Sequence, residues 1–260
     1  MAIITLTTDL GSRDHYAAAL KGTLMSLNPA ANLVDVTHAI SPFNTMEAAF
    51  ILKSAFEKFP PGTIHLIGVD PEGTARQSTL VMRFKGHLFV GPDNGVLSLI
   101  KRSDDADVFK VSTEHLPTLG HARGFLAQRH LAPVSALLAE GAAPESLGEP
   151  HEMQTYLWGE PSYTENALRG VILHIDHFGN AITNILKDEF MARKGDRSFQ
   201  IIIRNLRLQR IVTAYGDVSR GEALAIFSEN GHLEFAIREG SAAQLLGLNV
   251  QDMMTIEFYG

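Results

Sequence analysis

From Ile3 onward, short β-branched runs alternate with stretches whose apolar residues recur at helical spacing. Ile3 to Thr8 reads as a strand. Asp14 to Leu27 reads as a helix, with Tyr16, Leu20, Leu24 and Leu27 on one face and Asn28-Pro29 behind it as a stop. Leu33 to Val36 and Thr45 to Phe56 repeat the pair, and Pro60-Pro61-Gly62 ends it. Ile64 to Val69 is a further strand, Leu80 to Phe84 and Leu88 to Val90 form a hairpin about Lys85-Gly86, and Gly95 to Ile100 is a short helix. Val108 to Val111 adds a strand and Pro133 to Ala139 a helix. Such alternation predicts an α/β domain with a mainly parallel sheet.

The pattern changes after Gly141. Gly141 to Tyr163 holds Pro144, Pro150 and Pro161 without sustained periodicity, as a linker would. Beyond it, Gly170 to Ile175, Phe199 to Ile203, Arg210 to Val212, Ala223 to Phe227, His232 to Ile237 and Met254 to Phe258 are strand-like runs between Gly, Asn and Asp turns. The expected organisation is an α/β domain over 1–155, a linker over 156–165 and a smaller β-rich, barrel-like domain over 166–260.

Composition narrows the chemistry. With 22 Lys and Arg against 29 Asp and Glu the net charge is −7, which disfavours nucleic acid and anionic membranes and favours a small-molecule ligand. Cysteine is absent, excluding disulfides, thiol nucleophiles and thiolate metal sites. No run of about 18 apolar residues and no leader-like N-terminus occurs, so the chain reads as soluble and cytoplasmic.

Four segments can carry chemistry. Thr8-Asp9-Leu10-Gly11-Ser12-Arg13-Asp14 leaves the first strand, where ligands of open α/β sheets gather. Asp9 there can accept both hydroxyls of a ribose, and Asp14 suits a helix N-cap at least as well as a ligand. In Val69-Asp70-Pro71-Glu72-Gly73-Thr74-Ala75-Arg76, Asp70 and Arg76 can hold a water between them or merely brace the loop as an ion pair. Gly91-Pro92-Asp93-Asn94-Gly95 is a turn in which Asp93 or Asn94 can cap the next helix. In His174-Ile175-Asp176-His177-Phe178-Gly179-Asn180 the two histidines, three apart on a strand, face opposite ways and make a poor metal site. Asp176, Phe178 and Asn180 instead offer a carboxylate, a ring face and an amide to an organic cation.

In this order, Thr7-Thr8-Asp9-Leu10-Gly11-Ser12-Arg13-Asp14, Asp35-Val36-Thr37-His38, Gly91-Pro92-Asp93-Asn94-Gly95 and Ile175-Asp176-His177-Phe178-Gly179-Asn180 with Thr183-Asn184 resemble the S-adenosyl-L-methionine hydroxide adenosyltransferase family, relatives of fluorinase and chlorinase. The resemblance spans almost the whole chain. It implies hydrolysis of S-adenosyl-L-methionine (SAM) to adenosine and L-methionine, with SAM as substrate and no metal or further cofactor. It also implies a homotrimer whose sites lie at subunit interfaces. Asp9 would hold the ribose diol, with Asp14 nearby; Asp176 would hold the methionine ammonium, and Phe178 and Asn180 the adenine. Ser228 and Arg238 would belong to the C-terminal binding segment, and Asp70 with Arg76 would activate the water.

Two departures from the family pattern stand out. The loop from Asp70 to Arg76 is one residue shorter than the family's Asp-Pro-Gly-Val-Gly-x-x-Arg. The family's Phe-His-Gly-Arg-Asp segment aligns with Phe125-Leu126-Ala127-Gln128-Arg129, so Leu126 stands in the slot of the catalytic histidine; His121 and His130 lie nearby in sequence and read as surface histidines first and as replacements second. The alternative is a binder of SAM or adenosine that has kept the pocket and lost the catalytic machinery.

Overall fold

The computed structural model describes residues 2–72, 78–102, 104–112, 116–117 and 125–260, and the chain divides into two compact units, Met1–Trp158 and Gly159–Gly260. In the first unit β1 (Ile3–Thr8) leads to α1 (Tyr16–Leu27), β2 (Asn32–Thr37) to α2 (Thr45–Ala55), and β3 (Ile64–Gly68) to the hairpin of β4 (Thr79–Phe84) and β5 (His87–Pro92). α3 (Val96–Lys101), β6 (Asp107–Val111), α4 (Ala132–Ala139), α5 (Pro144–Leu147) and β7 (Gly148–Pro150) follow.

The sheet order is β2-β1-β3-β5-β4-β6-β7. Pairs from β2 to β5 are parallel, and those from β5 to β7 antiparallel. The expected α/β layer is therefore a mixed sheet. Its direction changes where Lys85 (φ 47°) and Gly86 (φ 78°) fold β4 straight onto β5, a tight hairpin turn that leaves no room for a crossover helix. The core beneath α1 and α4 joins Ile4, Leu6, Ile64, Leu66, Val81 and Val90 to Leu20, Leu24, Val134 and Leu138. Each such side chain contributes about 1.5–3 kcal/mol on burial.

Helix starts follow local polar chemistry. At α2, Asn44 Oδ1 accepts the Glu47 amide at 3.0 Å while Glu47 Oε2 accepts Asn44 Nδ2 at 3.3 Å. α1 differs from expectation, because His15 holds the N-cap position without a side-chain cap bond and Asp14 is exposed ahead of it. Asp14 is thus not a cap. The proline-rich stretch from Gly141 is also more ordered than a linker: it contains α5 and β7, Trp158 Nε1 donates to the Leu99 carbonyl at 2.8 Å, and the Tyr156 amide donates to Ser98 Oγ at 2.8 Å. Tyr156 then covers Gly95 (φ 87°), where a Cβ would stand 2.3 Å from the ring.

The second unit is a nearly closed, barrel-like antiparallel sheet, in the order β12-β11-β15-β9-β10-β14-β13, with β8 paired to β9. Its strands are β8 (Ser162–Tyr163), β9 (Ala167–Ile175), β10 (Ala181–Leu186), β11 (Ser198–Ile203), β12 (Leu206–Leu208), β13 (Ala223–Phe227), β14 (His232–Ile237) and β15 (Met253–Tyr259); its helices are α6 (Lys187–Lys194) and α7 (Ala242–Leu246). Arg210 to Val212, expected as a strand, contributes a single parallel bridge, Val212 to Ile226. β10 escaped the alternation test because Thr183 and Asn184 are polar yet buried. Thr183 Oγ1 donates to the Leu233 carbonyl at 2.9 Å, and Asn184 Oδ1 accepts the Val171 amide at 2.8 Å beside a register shift. Their side chains satisfy the main chain where the ladder breaks.

Candidate active site

In the first unit the site grows from the C-terminal ends of β1 and β3. Asp9 Oδ2 accepts two backbone amides, from Phe43 at 2.9 Å and Asp70 at 3.3 Å. No protein donor to Asp9 Oδ1 is recorded among the described residues. Asp70 itself adopts a left-handed conformation (φ 43°), a strain that a non-glycine residue carries at a cost of about 1–3 kcal/mol. Burial, and then the charge of Asp9, push the Asp70 carboxyl above its ordinary pKa, the direction that makes it a better proton acceptor.

Two polar systems hold these loops. Thr8 Oγ1 and His38 Nδ1 are hydrogen bonded at 2.7 Å, His38 Nε2 lies 3.2 Å from Asp35 Oδ1, and Asp35 Oδ2 pairs with Lys21 Nζ at 2.5 Å. The His38 carbonyl also accepts the Gly11 amide at 2.7 Å, which fixes the loop after Asp9. Burial raises the Asp35 carboxyl, but the Lys21 hydrogen bond and the charges of His38 and Lys21 outweigh it and hold it below its usual value. On the other side, Asn94 Nδ2 donates to the Val69 and Asp70 carbonyls at 3.0 and 3.4 Å, while its Oδ1 accepts the Val96 amide at 3.3 Å. Asp93 is no helix cap. It accepts the Gln154 amide at 2.8 Å and lies 3.1 Å from His151 Nε2, tying β5 to the chain beyond β7.

Leu126 enters a π-helical turn, Ala127–Leu131, that runs into α4. Glu72, two residues beyond Asp70, accepts the Phe125 amide and, at 3.1 Å, the Leu126 amide on the same Oε1. Phe125 (φ 63°) meets Tyr16 edge to face at 5.6 Å. His130 sits within the π turn, where burial and then Arg129 lower its pKa, and no hydrogen bond joins it to Asp9 or Asp70 among the described residues. Arg76 and His121 lie outside the described residues.

In the second unit a cavity of 710 Å³ is lined by Asp176, Phe178, Asn180, Tyr215, Arg238 and Ser241, among others. Asp176 organises its own loop: Oδ1 accepts the Phe178 and Asn180 amides at 2.9 and 2.8 Å, and Oδ2 accepts Asn180 Nδ2 at 3.0 Å. The Phe178 ring is left 74% exposed, free to cover a ligand. Gly179 (φ 83°) is required beneath α7, since a Cβ would fall 2.0 Å from Ser241 Oγ. Arg238 donates to the Val218 carbonyl at 2.7 Å. Ser228 lies in the turn between β13 and β14, at the opposite end of β14 from Arg238, and does not line this cavity.

Sequence reasoning missed Tyr215 and Glu234. Tyr215 Oη donates to Glu234 Oε1 at 2.6 Å, and Glu234 is only 3% exposed. Burial and then Glu234 drive the phenol well above its usual pKa; burial raises Glu234, against the Tyr215 hydrogen bond, with Asp176 adding to the rise. An acid inside a strand of a β-rich unit was the available signal, because buried carboxylates need partners. Among the described residues no group of three or more His, Cys, Asp or Glu could hold a metal ion.

Paired carboxylates at α/β strand ends and a barrel unit with its own acid-lined cavity define a two-part enzyme fold. The chain belongs to the SAM hydroxide adenosyltransferase family: the model of the family's N-terminal domain matches residues 4–148 and that of its C-terminal domain residues 170–255. It is 29% identical to the (R)-S-adenosyl-L-methionine hydrolase of Methanocaldococcus jannaschii, with 98% of this chain and 95% of that protein covered. It is 33% identical to the Thermus thermophilus protein of the same name, with 95% and 96% covered. A fluorinase from Actinoplanes sp. is 26% identical, with 90% of each covered. The crystal structure of an uncharacterized conserved protein from Thermotoga maritima is similar with a TM-score of 0.88 at 30% identity, with 98% of this chain and 99% of that one covered.

Proposed function

We propose that this chain hydrolyses SAM to adenosine and L-methionine, water attacking the ribose 5′ carbon in line with the sulfonium sulfur. The new C–O bond forms as the C–S bond breaks; the bonding pair stays on sulfur as a neutral thioether, and the water proton passes to Asp70 and on to solvent. No acid is needed at the leaving group, so catalysis reduces to aligning and partly desolvating the water. The observation that carries the reading is Asp9: two amides fix its Oδ2 and leave Oδ1 for a ribose hydroxyl, one of them belonging to Asp70, the proposed acceptor. Relatives matched over nearly their full length carry the name (R)-S-adenosyl-L-methionine hydrolase, so we take the R sulfonium epimer as preferred.

In this reading Arg76 steadies the water, Asp14 lies at the substrate-binding end of the first unit, and Asp176, Phe178, Asn180 and Arg238 bind the amino acid and adenine, while Ser228, at the other end of β14 and outside this cavity, is left without a part in it. The protein acts in the cytoplasm as a homotrimer with sites shared between subunits and without metal or cofactor. A second reading, a binder without turnover, is favoured by Leu126, since an alkyl side chain moves no proton. Incubating the protein with each SAM epimer and separating the products by chromatography tests both. Adenosine and methionine in equal amounts are expected; ligand binding with turnover no faster than a protein-free control would establish the second reading instead.

A further inference from the structure

The barrel has a seam. Its sheet runs from β12 to β13 without a ladder between the two ends, and the only pairing recorded across the gap among the described residues is the Val212 to Ile226 bridge. α6 lies beside this gap, and a cavity of 620 Å³ opens between helix and seam. Its volume is in the range of small-molecule pockets. None of its lining residues belongs to the cavity around Asp176.

The lining is amphipathic in a particular sense. Phe190, Phe199 and Phe227 supply the floor, with Phe190 edge-on to Phe199 at 5.1 Å and 5.6 Å from Phe227. Lys187, Lys194 and Arg210 also line the cavity, and no acidic residue does. Of the nearby acids, Glu189 pairs with Arg193 at 3.8 Å, and Asp217 accepts from Thr213 and Ala214 while also feeling the charge of Arg210. Glu222 reaches Arg210 only at 3.7 Å. In a chain of net charge −7, three cations over an apolar floor select a negative head on an apolar body.

We propose that the seam between α6, β11 and β13 binds a carboxylate carried on an aliphatic chain, with the chain on the phenylalanine floor and the carboxylate among Lys187, Lys194 and Arg210. The site is independent of the SAM reading and stands if that reading fails.

Octanoate, octanol and octylammonium titrated into the full-length protein test it, followed through methionine methyl resonances. Met191 lines the cavity and is 53% exposed, and Met191→Leu assigns its signal. Octanoate is expected to shift the Met191 methyl saturably and to bind about tenfold more tightly than octanol, with octylammonium weakest. Replacing Lys187, Lys194 and Arg210 together by Gln is expected to bring octanoate down to the octanol level while octanol is unchanged. Equal binding of octanoate and octanol to the unaltered protein, or a Met191 signal that does not move, would overturn the proposal. So would a change in oligomeric state in the triple variant, which would make this face an interface between copies. If the triple variant fails to fold, the ranking of the three probes on the unaltered protein still decides.

Discussion

Asp9 and Asp70 are joined through the main chain of one and the side chain of the other: the Asp70 amide donates to Asp9 Oδ2 at 3.3 Å. Burial, and then the charge of the same Asp9, raise the Asp70 pKa. Asp70→Asn is therefore expected to lower kcat by about 10²–10⁴-fold with little change in KM. In the unaltered enzyme the acid limb of kcat/KM should lie above that of an ordinary aspartate, and Asp9→Asn should move it down while raising KM. Stopped assays from pH 4 to 8 measure both.

The proposed sharing of sites between subunits predicts complementation. Asp70→Asn and Asp176→Asn are each expected to be nearly inactive, yet mixing and reassembling the two should restore part of the activity, because some sites then combine an intact first unit with an intact second unit from a neighbour. Activity that stays at the level of the separate variants, in mixed trimers isolated through a different affinity tag on each variant, would refute sites shared between subunits.

His65 is fully buried, hydrogen bonded to Thr5 Oγ1 at 2.7 Å and 3.2 Å from His87 Nδ1. Burial, and then His87, lower its pKa from 6.5 to about 3. The folded state keeps it neutral while the unfolded chain takes up a proton below about pH 6.5. Its contribution is complete above that pH and is lost as pH falls, by roughly 1.4 kcal/mol per unit down to the folded pKa. Urea midpoints measured between pH 7 and 5 should fall, and fall less steeply in His65→Gln.

Tyr215→Phe removes the recorded side-chain donor to the buried Glu234 carboxylate. A loss of about 1–3 kcal/mol is expected. Because a protonated Glu234 no longer needs that donor, the loss in Tm should shrink as pH falls from 8 toward the ordinary glutamate value and below it, and a loss independent of pH would contradict this pairing.

Gly179→Ala meets both a positive φ and Ser241 Oγ. It should destabilise the second unit by more than 1 kcal/mol and weaken ligand binding there. Calorimetry of the intact chain reads the first effect.

Much of the first unit was legible because β3 and β5 carry buried apolar runs and α1, α2 and α4 run out toward Pro29, Pro60 and Gly141. The strands of the second unit were less so. β10 hides behind Thr183 and Asn184, whose polarity serves the main chain at a register shift, and the strand expected at Arg210 is reduced to one bridge because it spans the open seam. At the site, Asp9, Asp70, Asp176 and Phe178 were visible as motif residues. Tyr215 and Glu234 were not, since only the fold brings residues 19 apart into a hydrogen bond.

Glu72 gives the two departures from the family pattern a common mechanical meaning. Its carboxylate leaves the shortened loop and grips the amides of Phe125 and Leu126, so the backbone that presents position 126 is steered by a side chain placed by that same loop. The backbone at position 126 and the loop that carries Glu72 are thus mechanically connected. A histidine placed at this position by Leu126→His would be presented from a backbone tethered by Glu72.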